Sequence, residues 1–251
     1  NYQSFRQITL LEKRYVNFDG LNLTWETIDG LIKHNGIIQE TINNYDLSKN
    51  FTFDLYKNPS LEAQIASLSD DIAYIAHDFD DALRSGIFSI SGLAKNQDQF
   101  NFIDFSYIAN LDKSVARNYF SRSIMNFLIL DLLNETETTL MNSPQIKSYL
   151  DVINNPNFLV KFSPVVLEKV KFLKNYLFEY FYTSDFVFKN RTQAEKILVS
   201  IIKLLNNDIN ILPSKWRDKI QKDKDKKQTI VDYVCGMTDQ YAINFYNTYA
   251  S

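Results

Sequence analysis

The stretch from Ser60 to Gly86, SLEAQIASLSDDIAYIAHDFDDALRSG, has no glycine or proline between its ends. Its apolar residues Ile65, Leu68, Ile72, Ile75, Phe79 and Leu83 recur at helical spacing. At about 100° per residue they fall into one stripe. Ser60 is placed to cap the start, and Gly86 stands where a helix stops. A helix this long with one apolar stripe needs partner surfaces of similar length. The expectation is an all-α, multi-helix fold.

The opposite side of the same stretch carries chemistry. Asp70, Tyr74 and Asp78 step by four and share one face within about two turns, with Asp71 and His77 flanking it. A solvated acidic side satisfies that pattern too. Glu and Lys would serve such a side better, because Asp and Tyr are mediocre helix formers and close carboxylates repel. Carboxylates beside a Tyr and a His suit a hard cation or sugar hydroxyls.

Composition narrows the remainder. The chain has 251 residues, 45% of them hydrophobic, with a formal net charge of −3. That permits a sizeable core and gives no global basic signal for nucleic acid. Six glycines and five prolines favour long helices over a turn-rich β fold. The single cysteine, Cys235, excludes an intramolecular disulfide and fits a reducing, cytoplasmic setting. No apolar run reaches the length of a membrane span, so no membrane partner is expected.

Along the chain, Ser4 to Tyr15 reads as a short helix and Phe18-Asp19-Gly20 as a turn. Thr24 caps a helix from Glu26 to His34, stopped by Asn35-Gly36, and residues 37–59 read as loop. The Phe-rich run 100–108 is ambiguous between strand and helix, with short helix favoured by its neighbours. A long helix is expected from Ser114 to about Met141, with Val115, Tyr119, Ile124, Phe127, Leu128 and Leu132 inward. A short helix at 145–154 lies between Pro144 and Pro156, and Ser163-Pro164 opens another, running to about Tyr182. Thr192 to Asn207 and Gln228 to Tyr249 complete the set. The segment 214–227, SKWRDKIQKDKDKK, holds seven Lys or Arg and reads as a solvated, mobile loop, with a weak single-stranded nucleic-acid contact as the sharper alternative.

The motifs SLEAQ, SDDIAYIAHDFDDALRSG, NYQSFR, LEKRY, FDGLNLTWETIDGLIKHNG and VDYVCGMTDQYA together resemble the dNTP triphosphohydrolases, the dGTPase branch of the HD-domain superfamily. The resemblance implies an HD-domain-like helical globule, with residues 1–251 as the C-terminal part of a single such domain whose N-terminal part is absent. It implies hydrolysis of a dNTP to a deoxynucleoside and triphosphate, a divalent metal cofactor (Mg, Mn or a transition metal) and a homo-oligomer. By position it makes Asp70 the fourth metal ligand, Tyr74 the residue against the deoxyribose, and Asp78 the acceptor for the 3′-hydroxyl. Tyrosine at the 2′ carbon would discriminate against an added hydroxyl. His77-Asp78 spells an HD dipeptide, but in the resemblance it belongs to the fourth-ligand helix and not to the metal-binding pair. The family's other three ligands precede the point where this chain begins, so the chain alone is expected to be inactive. The rival expectation is a non-catalytic helical remnant or an interaction module that pairs with an intact subunit. His34 matches a family motif, and a capping or packing role is as well supported. Cys235 is expected to be structural, Asp239 and Tyr241 to line the site or pack. Gln240 stands where the family often has a basic residue.

Overall fold

The structure is a computed structural model that describes residues 2–34, 53–54 and 56–249. The Asn35-Gly36 stop and most of the expected loop at 37–59 lie outside the described residues. The described residues are all-α, with twelve α-helices and no β-strand. The chain divides into two compact units, one built from Leu23–Ser184, the other from Tyr2–Asn22 together with Asp185–Ser251.

In the first unit, helix α2 (Trp25–Ile32) starts at Thr24, whose side chain accepts from the Thr27 N–H. Helix α3 (Leu61–Arg84) is the expected central helix, capped by Ser60, with Gly86 at φ +78 beyond its end. Its buried face is Gln64, Ile72, Ile75, Ala76, Phe79 and Ala82. Ile65, expected inward, is exposed. Gln64, about 100° away round the helix, turns inward in its place. Its amide nitrogen donates to the Pro59 carbonyl (3.0 Å), and its Oε1 accepts from the N–H groups of Leu159 (2.9 Å) and Val160 (3.2 Å). A buried polar side chain needs such partners, and this one ties the start of α3 to segment 158–162.

Helix α4 (Ile90–Leu93) and helix α5 (Phe105–Ile108) are short, so only the end of the Phe-rich run 100–108 is helical. Helix α6 (Lys113–Met141) buries Ala116, Phe120, Ile124, Leu128, Leu132 and Thr136, a strict step of four. Val115 is one position round from that row and exposed, contrary to expectation. Phe79 of α3 meets Phe120 of α6 (5.8 Å between ring centroids), Phe100 (5.8 Å) and Phe88 (5.7 Å). Large rings packed at these distances contribute beyond the area that they bury. Asp80 of α3 binds Arg117 of α6 at 2.7 Å. Helix α7 (Tyr149–Ile153) is shorter than expected and opens with a capping box of Ser148 and Asp151. Helix α8 (Pro164–Leu177) is capped by Ser163, whose N–H and hydroxyl both donate to Asp131 of α6 (2.9 and 2.7 Å). It continues as one π-helical turn, Phe178–Tyr182.

In the second unit, the expected helix 4–15 is instead α1 (Tyr2–Arg6), a π-helical turn (Gln7–Leu11) and extended chain. Gly20, at φ +82, allows the return: a Cβ there would lie 2.6 Å from the Ile8 carbonyl oxygen. Helix α9 (Asp185–Asn207) begins seven residues before the expected start at Thr192. The basic segment is not a loop. It forms α10 (Ser214–Asp223) and the start of α11 (Lys226–Cys235), and Trp216 and Ile220 pack against the core made by Ile201, Leu205, Ile230 and Phe245. Lys219 and Lys226 are engaged within the unit, by Asp232 (3.2 Å) and the Asn206 carbonyl (2.6 Å). The single helix expected from Gln228 to Tyr249 is broken at Gly236, and helix α12 (Asp239–Tyr249) follows. Cys235 is exposed, with burial of its thiol still enough to raise its pKa.

Asp232 of α11 is the polar centre of this unit. Its side chain is fully buried and accepts from Arg6 through both oxygens (2.9 and 2.6 Å), from Gln3 (3.1 Å) and from Gln228 (2.9 Å). Burial alone would raise its pKa. The bonds from Arg6, Gln228 and Gln3 outweigh burial and hold the carboxyl well below the usual range.

Candidate functional site

The acidic face of α3 opens onto two neighbouring cavities in the first unit. The smaller, about 390 Å³, is lined by Asp71, Tyr74 and Asp78 of α3, by Lys174 and Asn175 of α8, and by Phe178 and Tyr182 of the π-helical turn. The larger, about 680 Å³, lies between the end of α2, the start of α3 and segment 158–167, with Lys33, His34, Gln64, Glu135 and Lys161 among its polar lining. Asp71 and Lys174 line both. Their side chains form an ion pair at 2.9 Å. With both half-exposed, water screens the pair, and its contribution to stability is small. What it does provide is a cation and an anion at the border of two spaces.

The four-residue step places Tyr74 and Asp78 in one cavity, as the sequence suggests. Tyr74 is 62% exposed, which leaves its ring face open to a ligand. The Asp78 carboxylate accepts from the Tyr182 hydroxyl. Burial first, then the bond to Asp78, raises the Tyr182 pKa far above that of a free phenol, so the hydroxyl stays a donor. Asp70, one turn nearer the start of α3, lines neither cavity. It faces the end of α2, where His34 Nε2 lies 3.3 Å from its Oδ2. Just inside that end Lys33 and Asp29 form a fully buried pair at 2.8 Å. His77 is exposed and is not among the residues lining either cavity. Asp239 and Tyr241 belong to the second unit, where the Tyr241 hydroxyl lies 3.0 Å from that of Tyr233.

A resident divalent ion can be tested against these donors. Asp70 and His34 have the right chemistry and are adjacent. Among the described residues, however, no group of three or more His, Cys, Asp or Glu side chains could hold a metal ion. Two donors fall short of the three or more protein ligands of a typical catalytic site.

Lys174 and Tyr182 line the smaller cavity and carry no sequence motif. Lys174, Phe178 and Tyr182 step by four, a signal that could have marked a common face. It was masked by the surrounding Phe and Tyr residues, which read as core.

Residues 160–248 match the phosphohydrolase-associated domain family. The deoxyguanosinetriphosphate triphosphohydrolase-like protein of Rickettsia bellii is 38% identical over 258 residues, covering all of this chain and 67% of that relative. Its counterpart in Rickettsia canadensis is 39% identical over 254 residues, covering 98% of this chain and 67% of the relative. The Rickettsia prowazekii protein of the same description is 36% identical over 258 residues. The chain thus spans about two thirds of the length of these relatives.

Proposed function

The chain belongs to the deoxyguanosinetriphosphate triphosphohydrolase-like family, and on that premise we propose that it is the portion of a dNTP triphosphohydrolase that holds the deoxynucleoside end of the substrate. The observation that carries the proposal is the convergence of Tyr74, Asp78 and Lys174 on one cavity of about 390 Å³. Such a volume is within the lower range for small-molecule sites. Asp78 offers an acceptor for a sugar 3′-hydroxyl. The exposed Tyr74 ring, four residues away, offers a flat wall for the deoxyribose, and at the 2′ carbon it leaves no room for a hydroxyl. Lys174, across the cavity on α8, brings positive charge for the first phosphate.

Substrate positioning is therefore the role assigned to this chain. The overall reaction is dNTP plus water to deoxynucleoside plus triphosphate. The described residues do not fit a metal ion by themselves, and no step at phosphorus is assigned to them. By the same reasoning the chain alone is inactive, whereas it binds nucleotide. The test is to incubate the purified chain with dGTP and manganese, assay released triphosphate, and measure dGTP binding in parallel. Binding without turnover is expected, with affinity lowered about 10-fold or more in Asp78→Ala, the usual scale for losing a hydrogen bond to a charged acceptor. Robust turnover that vanishes in Asp70→Ala would overturn the division of roles.

A further inference from the structure

The π-helical turn Phe178–Tyr182 is where α8 departs from regular geometry. In an α-helix four residues overshoot a full turn by about 40°, so a row of positions 174, 178 and 182 would drift off the cavity. A π turn is wider, closing i to i+5, and rotates less per residue. The widening reverses that drift and brings Tyr182 back toward the row of Lys174, and both line the cavity with Phe178. The turn is held from beneath. Phe181 is buried, lies 6.4 Å from the Phe88 ring, and contacts the Tyr182 ring at 5.6 Å. The Ser184 hydroxyl donates to the Phe181 carbonyl at 2.6 Å, and that of Thr183 donates to Glu179. Short π segments inside or at the end of helices recur at functional sites. This one aims a phenol.

The phenol meets a carboxylate from α3, 104 residues earlier in the chain. Tyr182 donates to Asp78 Oδ2, and among the described residues Oδ1 has no hydrogen-bond partner. A half-exposed aspartate is otherwise free to exchange rotamers. With one oxygen fixed, the other has a set direction. We propose that Tyr182 is a positioning residue for Asp78: its hydroxyl holds one carboxylate oxygen so that the other meets the 3′-hydroxyl of a bound deoxynucleotide. The proposal rests on the assignment of this cavity to the deoxynucleoside.

Tyr182 is 44% exposed and its hydroxyl faces the cavity, so Tyr182→Phe removes the donor and leaves the packing intact, as circular dichroism will verify. Calorimetric titration with dGTP and with 2′,3′-dideoxyguanosine triphosphate reads the effect, because the second ligand lacks the 3′-hydroxyl. Wild-type protein prefers dGTP. Asp78→Ala abolishes the preference. Tyr182→Phe weakens dGTP binding about 5- to 10-fold with the dideoxy ligand unchanged, and adds nothing in the Asp78→Ala background. If Tyr182→Phe keeps the full preference while Asp78→Ala loses it, the role of Tyr182 is overturned and the sugar assignment stands. Equal weakening of both ligands overturns it as well, since it marks a wall of the cavity and no more. If the wild-type protein binds neither ligand, or binds both equally, the sugar assignment itself falls and takes the proposal with it.

Discussion

Asp232 and Tyr74 show two opposite uses of a polar side chain. The Asp232 carboxylate is wholly enclosed and satisfied by Arg6, Gln3 and Gln228, so removing it strands a guanidinium in a largely dry site. Breaking one partner of such a pair usually costs about 3–5 kcal/mol, and Asp232→Ala is expected in that range by chemical denaturation. The pH dependence follows from the direction of its shift. Its folded pKa is depressed, so its stabilisation is complete above the ordinary carboxylate value of about 3.9 and is lost as pH falls below it. Between about pH 5 and pH 2 the melting temperature of the wild-type protein should fall more steeply than that of Asp232→Asn. Parallel acid limbs would exclude Asp232 as the titrating group. Tyr74, by contrast, is exposed and has little stability to lose. Tyr74→Ala should leave the melting temperature within a few degrees and reduce the preference for dGTP over GTP in binding. An unchanged preference would remove the ring from the sugar site.

Helices α2 and α3 approach closely where Gly30 faces Ala63. A Cβ at Gly30 would lie 2.7 Å from that of Ala63, well inside the distance of about 3.5 Å or more at which carbons rest. Gly30→Ala gains about 1 kcal/mol of helix propensity and loses about 1–3 kcal/mol to overpacking. The net expectation is a lower melting temperature and faster hydrogen exchange over 25–34. A raised melting temperature would show that α2 can shift without penalty. Elements of this kind explain what could be read from the sequence. The central helix was legible because 24 residues run from Leu61 to Arg84 with a capping serine and no breaker. Tyr74 and Asp78 were legible because helical spacing alone puts them together. The segment 214–227 was not. Its composition is dominated by charge, whereas its structure is decided by Trp216 and Ile220, four residues apart and packed on one core. The Lys219 ammonium lies 5.4 Å from the centre of the Trp216 ring, so the charge that obscured the pattern covers its anchor. Tyr182 was not legible either, because its four-residue step from Lys174 and Phe178 is hidden among Phe and Tyr residues that read as core.

The whole chain is all-α among its described residues, and no helix there is long and apolar enough to cross a membrane. Its second unit is assembled from Tyr2–Asn22 and Asp185–Ser251, with Leu23–Ser184 intervening as the first. Arg6 and Asp232, 226 positions apart, are joined only when both segments exist. That sets an order of events on the ribosome. The first unit is continuous and can close once Ser184 has emerged, whereas α1 meets α11 only after the whole intervening unit has been made. Closing so long a loop is entropically unfavourable in an open coil, and a compact intervening body shortens it. In refolding, pulsed hydrogen exchange should therefore find the amides of α3 and α6 protected before those of α11. Simultaneous protection would mean that the two units form as one cooperative body. A core whose parts come from residues 2–22 and 185–249 also means that a cut in the intervening sequence leaves those parts held by packing and by the ion pair that α1 makes with α11.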